Sequence, residues 1–309
     1  MQTFGIILAI LVAVSLVWRL ISNIIKMRSN ANNFNSLEKA LKNPLKVHHL
    51  DLVSQNLAEL PRQIGELKNL QTLRLSDNKL IFLPKEIGEL KNLTELYLDG
   101  NRLAILPKEI GNLKNLTYLG LARNQFATFP IAICELKNLI ILYLEENKLT
   151  ILPSEIGKLE ILEELDLSKN QLSTLCMEIG KLKNLKNLNL DVNQLTILPN
   201  EIGELINLTE LYLFDNQINM LPKEIGKLKN IYVLLLSKNF LITLPEEIGE
   251  LNNLVELDLD KNQLTTLPKE IGKLKKLFEL YLEDNPISKE EMEKISDLLP
   301  NCKVTFEIK

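Results

Sequence analysis

Cysteine and histidine are scarce in this chain, three and two among 309 residues. The cysteines lie far apart, so they form neither a disulfide framework nor a zinc motif. His48 and His49 are neighbours on an extended segment and point to opposite faces, so they do not chelate one metal together. Aromatics make up only 5% of the chain, and there is no surplus of positive charge. Lys and Arg number 36 against 40 Asp and Glu, a net charge of −4, with a pI of about 5.5. That balance argues against a strongly basic nucleic-acid binder. No glycine-rich phosphate loop, G-x-S-x-G elbow or H-E-x-x-H stretch occurs, and no calcium-loop spacing. Neither a cofactor nor a catalytic residue is expected. Disorder is excluded as well, because 46% of the chain is hydrophobic.

Leucine is what the chain has in excess: 68 residues, more than a fifth of the total, beside 32 asparagines. A compact core mixes apolar shapes so that they interlock. One residue type at this frequency points instead to a single unit used many times. The unit is visible in the asparagines Asn78, Asn101, Asn124, Asn147, Asn170, Asn193, Asn216, Asn239, Asn262 and Asn285, spaced 23 residues apart. One step upstream, Gln55 holds the slot. Around each stands L-x-L-x-x-N-x-L-x-x-L-P, as in Leu73, Leu75, Asn78, Leu80, Leu83 and Pro84. It is followed by x-x-I-G-x-L-x-x-L, as in Ile87, Gly88, Leu90 and Leu93.

The L-x-L segment alternates apolar and polar, so it is a short strand with one buried face. Consecutive units set these strands side by side and parallel, roughly 4.8 Å apart. The asparagine turns the chain, and its amide bonds backbone groups that would otherwise be buried unpaired. Stacked asparagines make a ladder. Pro lacks a donor and Gly permits positive φ, so both are expected to serve a tight outer turn. The outer segment is too short for a full helix. No unit buries its leucines alone, so stacking makes the core. Cys176 in the proline slot and Cys134 in the glycine slot read as buried reduced thiols, in positions that do not suit a bond between them.

These residues resemble the leucine-rich repeat family. The 23-residue LPxxIGxLxxL form is similar to the plant intracellular Ras-group type and to multi-repeat proteins of spirochaetes; Ala40–Leu52 resembles the start of the latter. The resemblance implies an α/β leucine-rich-repeat solenoid. Its expected shape is a curved right-handed horseshoe with parallel strands on the concave face and short helical or irregular convex legs. It also implies a non-enzymatic role in protein binding, and it offers no shared catalytic residue.

The expected division is a hydrophobic segment over 1–28, a linker and N-terminal cap over 29–47, eleven repeats over 48–286, and a C-terminal cap over 287–309. Ser36–Leu41 reads as a short capping helix. Ser288 with Glu291 has a capping-box spacing, ahead of a helix that Pro300 stops. Val304, Phe306 and Ile308 alternate as a last strand. Met1–Trp18 carries no charged side chain. This is the short end of a membrane span, which Arg19 could extend by snorkelling. A secretory signal peptide, the alternative, lacks its basic n-region here. Arg19, Lys26 and Arg28 all follow the apolar run, which places the repeats in the cytoplasm by the positive-inside rule. Export would reverse that and give a secreted or surface protein that binds host or extracellular proteins. A third reading is a regulatory partner of a GTPase or phosphatase in signal transduction.

Function is expected where the repeat leaves side chains free, on the outward strand positions. Three columns of eleven such residues hold 13 acidic side chains and one basic one, Arg74. The lysines lie on the outer legs, as at Lys85, Lys108, Lys223 and Lys269. Five of the six tyrosines share the strand face. The candidate binding residues are Tyr97, Tyr118, Tyr143, Asp166, Tyr212, Phe214, Leu235, Asp258, Asp260 and Tyr281. Rigid aromatics of this kind serve as binding anchors, and the expected partner is a protein ligand presenting basic and apolar groups. Asn92, Asn115 and Asn207 match the glycosylation pattern only because the repeat writes N-L-T.

Overall fold

The computed structural model describes residues 33–306. Thirteen strands form one sheet in strict chain order, every pair parallel. The first, β1 (Asn33–Phe34), pairs with β2 (His49–Asp51), and the last, β13 (Lys303–Thr305), with β12 (Glu279–Tyr281). From β2 to β12 each strand is three residues long and its register equals the repeat: Leu73 of β3 (Thr72–Arg74) lies opposite Leu96 of β4 (Glu95–Tyr97). The central leucine of each strand points into the core and its two neighbours point out. Leu73, Leu75, Leu80, Ile87, Leu90 and Leu93 of one unit are all fully buried, and the same slots recur through the array as one continuous core. The architecture is an α/β repeat solenoid with strands on one side and short 3₁₀ turns on the other.

The ladder asparagines perform the role their slot requires. Asn101 Nδ2 donates to Leu98 O and to Leu75 O of the preceding unit, both at 2.9 Å, and its Oδ1 accepts from Leu80 N at 3.0 Å. Each rung therefore ties three backbone groups across two units. Gln55 ends the ladder differently. Its backbone N–H donates to Asn78 Oδ1, and its Nε2 reaches Asn35 O in the N-terminal cap.

The glycines depart from expectation. Those in the outer turns do not adopt positive φ; among the described glycines only Gly100 does. Their reason is close approach between units. A Cβ on Gly180 would stand 2.6 Å from Glu201 O, and one on Gly226 the same distance from Glu247 O. Positive φ falls instead on the residue before each ladder asparagine, from Asp77 to Asp284, and Val192 is held there at 54°. At the ends of the turns the expected residues keep their places. Cys176 adopts φ −73° and ψ 151°, within the range of the prolines it replaces, and all three cysteines are free thiols.

At the N-terminal end β1 adds a strand that was expected to be linker, giving the exposed edge of β2 a backbone partner. Helix α1 (Leu37–Lys42) is capped by the Ser36 hydroxyl, which accepts from Lys39 N, and buries Ala40. At the other end α2 (Lys289–Leu298) is capped by Ser288 and buries Ile295. Only half of the expected capping box forms there, since the Glu291 carboxylate accepts from Thr266 rather than turning back to Ser288.

The expected membrane location is corrected here. Among the described residues no helix is long and apolar enough to cross a membrane, and the segment 1–28 to which an anchor was assigned lies outside the described residues, as does Ile308. The cytoplasmic placement that depended on that anchor is withdrawn with it.

Candidate functional site

The outward strand residues form a continuous face because the 23-residue register brings equivalent positions into line. Tyr97 and Tyr118 meet with ring centroids 4.4 Å apart, and Tyr118 meets Tyr143 edge-on at 5.7 Å. At Gly120, between Tyr97 and Tyr143 in the central column, a Cβ would stand 2.6 Å from Asp99 Oδ2, so the Asp99 carboxylate would have to move. Arg74 continues the row, its guanidinium carbon 5.0 Å from the Tyr97 ring centroid, within cation–π range. The three expected tyrosines of units three to five are thus one aromatic row.

Most of the tyrosine hydroxyls are tied to carboxylates. Tyr97 donates to Glu95 at 3.1 Å and Tyr281 to Glu279 at 2.7 Å, each two residues away on the same strand. Tyr143 donates to Glu164 of the next unit at 2.7 Å. Tyr212 and Tyr232 both donate to Glu210. Tyr232 lies one residue before its strand and was not among the expected residues, because alternation assigns that position to neither face. Burial, and then the nearby carboxylates, push the Tyr97 hydroxyl up to about 12. The rings are half-buried and oriented, and they serve as fixed walls.

The carboxylates are the other half of the face. Burial pushes Glu145 up to about 7, with Asp166 and Asp99 adding to the shift, and Asp191 and Asp260 up to about 6. One oxygen of Glu145 is cut off from water with no hydrogen-bond partner. Asp166 accepts from Ser168 N at 2.8 Å and from Asn189 Nδ2 at 3.1 Å. Asp258 accepts from Ser237 Oγ at 2.7 Å and from Asp260 N at 3.0 Å. Between Tyr143 and Tyr212 the face sinks into a hollow of about 290 Å³, lined by Glu145, Glu164, Asp166, Asn187 and Asn189. Phe214 lies beside Lys238, 5.6 Å from its ring centroid. Leu235 is partly exposed on the strand between Tyr212 and Asp258. Apart from Phe214 and Leu235, the expected residues fall into an aromatic row at units three to five, a hollow at units five to eight, and an acidic zone at units ten and eleven.

The outer legs differ from the expected basic surface. Several of their lysines meet glutamates of the adjacent unit, as in Lys68–Glu89 at 2.5 Å, Lys183–Glu204 at 2.6 Å and Lys229–Glu250 at 2.7 Å. The charge asymmetry is therefore an acidic strand face against a mixed outer face. The legs also carry a second asparagine ladder, in which Asn92 Nδ2 donates to Lys68 O and Asn115 Nδ2 to Lys91 O, both at 2.8 Å. Its signal was the N-L pair that recurs four residues after most of the leg glycines. A further surface was missed. Phe82, Ile105, Ile151, Ile197 and Met220 each stand four residues after a ladder asparagine, and all are exposed along one flank. Where Ile131 and Ala132 replace the usual Lys-Glu pair, this flank deepens into an apolar hollow of about 430 Å³. Among the described residues no group of His, Cys, Asp and Glu is placed to hold a metal ion.

Leucine-rich repeat profiles match along the chain: a leucine-rich repeat region over 96–197, a leucine rich repeat over 46–103 and 229–287, and a further single repeat over 207–228. No curated protein sequence matches. Among solved structures, a leucine-rich repeat protein of Leptospira interrogans is 36% identical over 89% of this chain and 99% of its own, with a TM-score of 0.44. The plant peptide hormone receptor RGFR1, solved in complex with RGF2, is 33% identical over 85% of this chain, with a TM-score of 0.67. Toll, solved in complex with Spätzle from Drosophila, is 25% identical over 86% of this chain, with a TM-score of 0.78. The chain spans 47% and 39% of those two receptor chains.

Proposed function

We propose, from the premise that this chain belongs to the leucine-rich repeat family, that its strand face binds a protein ligand presenting basic and apolar groups. Leucine-rich repeat arrays are typically non-enzymatic interaction modules, and a protein-interaction scaffold is the role the fold and its relatives support. The observation that carries the finer reading is the uneven treatment of charge. The outer legs carry both signs, in part as Lys–Glu pairs between units. On the strand face the carboxylates stand beside tyrosines, and burial raises the pKa values of several of them. A partner that supplies cations there relieves the crowding of like charge and desolvates the fixed tyrosine walls, which gives both steering and specificity.

The test compares two paired charge reversals in the full chain. Asp258→Lys with Asp260→Lys alters the strand face, and Lys223→Glu with Lys269→Glu alters the outer legs. Proteins retained by the immobilised wild-type chain are quantified on each variant. The strand-face pair is expected to lower retention about tenfold or more, and the outer pair to leave it within about twofold. Equal losses from both pairs, or no loss from either, would sink the reading.

A further inference from the structure

The hollow between Tyr143 and Tyr212 has a more specific chemistry than the face around it. Four units contribute to it: Tyr143 and Glu145 from the fifth, Glu164 and Asp166 from the sixth, Asn187 and Asn189 from the seventh, and Tyr212 from the eighth. Its two ends are aromatic rings held by hydroxyl bonds to Glu164 and Glu210. Its floor is Leu165 with the carboxylates around it. Among the described residues none of Glu145, Glu164 and Asp166 has an ion-pair partner. Lys169, three residues beyond Asp166, is engaged by Glu146 at 2.6 Å. One carboxylate oxygen of Glu145 is already stripped of water and has no donor. A buried acceptor in that state costs free energy until a donor arrives.

We propose that this hollow is an anchor pocket for one arginine side chain of the protein ligand. The volume, about 290 Å³, is that of a small side-chain pocket. The guanidinium is planar and has five donors, enough to meet carboxylates on two sides while its flat faces lie against rings. The molecule already contains one such arrangement on this face, Arg74 stacked on Tyr97. Arginine is preferred over lysine because the tyrosine walls reward a flat cation that is weakly hydrated, whereas an ammonium holds its water more tightly. The two asparagines supply amides at the rim, where Asn189 fixes the Asp166 carboxylate in place. The inference rests on the strand face being the binding surface and adds the single residue type that anchors the ligand there.

The test uses the full chain and three capped tripeptides of the form Gly-X-Gly, with X as arginine, citrulline or lysine. Citrulline keeps the shape and removes the charge. Ring proton signals of Tyr143 and Tyr212 are followed by NMR up to about 10 mM peptide, a range that reaches weak single-residue binding. The arginine peptide is expected to move both rings saturably, with citrulline weaker by about tenfold and lysine between them. Glu164→Gln with Asp166→Asn is expected to remove that response, and Glu201→Gln with Glu224→Gln on the outer legs to leave it unchanged. Retained thermal unfolding temperature certifies each variant as folded. Equal binding of citrulline, no response to arginine, or an unchanged response in the Glu164→Gln, Asp166→Asn variant would each overturn the pocket. A silent arginine peptide beside crippled ligand retention in the Asp258→Lys, Asp260→Lys variant would remove the pocket and leave the face standing.

Discussion

The strand face and the outer legs are built from the same repeat, yet they treat charge differently. On the legs several charges meet their opposites one unit away, as Lys183 does Glu204 and Lys229 does Glu250. On the strand face Glu145, Glu164 and Asp166 crowd together, and only neutral donors approach them. The legs mix charges of both signs and pair part of them internally, so no single sign is left in excess for a partner. The face leaves its charges for something else to satisfy. Stacking alone explains the legs, whereas the face carries more negative charge than stacking needs.

The sharpest contrast between the two sides is in their asparagine ladders. Asn147 donates to Leu121 O at 3.0 Å and Leu144 O at 3.1 Å, and accepts from Phe126 N at 3.1 Å, all out of water. Asn147→Ala leaves those groups unpaired and is expected to destabilise by roughly 3–5 kcal/mol in urea unfolding. The leg asparagine Asn138 makes one exposed bond, to Lys114 O at 2.8 Å, and Asn138→Ala is expected to cost only about 1 kcal/mol. Equal costs would erase the distinction. Next in size is Gly180→Ala. Its new Cβ would press on Glu201 O of the next unit, with an expected loss of roughly 1–3 kcal/mol from overpacking.

The face itself can be tested by pH. Burial, with Asp166 and Asp99 behind it, raises Glu145 from 4.5 to about 7. The folded chain therefore holds this proton more tightly than the unfolded chain. The stabilisation is full below about pH 4.5 and is lost as pH rises through about 7. Melting temperature is expected to fall between pH 5 and pH 8, and Glu145→Gln to flatten that fall and raise the melting temperature at the upper end by about 2 °C. A steeper fall in the variant would contradict the assignment. The smallest expected effect lies on the legs: Lys183→Met breaks an exposed pair and is expected to change stability by about 0.5 kcal/mol or less.

Much of this fold could be read from one unit. Leucine spacing marks the buried slots, and the asparagine at a fixed step marks the ladder, because each residue type there meets the same local need in every unit. The glycines misled for the complementary reason. Their constraint is a carbonyl in the next unit, Glu201 O for Gly180, which no single unit contains. The true left-handed positions escaped notice because all of them but Gly100 are held by other residue types, among them Asp77, Arg123, Lys169 and Val192. Alternation located the tyrosines on one face but could not show that Tyr97, Tyr118 and Tyr143 touch. The flank column at Phe82 and Ile105 was legible as an apolar excess beyond the core slots and went unread.

The sequence by itself determined the scaffold: a parallel stack of 23-residue units, its core, its ladder and the face on which variation is free. Those are local rules repeated, and repetition makes them visible. Only the tertiary structure decided which variable residues act together. Glu145 and Tyr212 are 67 positions apart in the chain, yet they line one hollow, because stacking converts a step of 23 residues into the width of one strand.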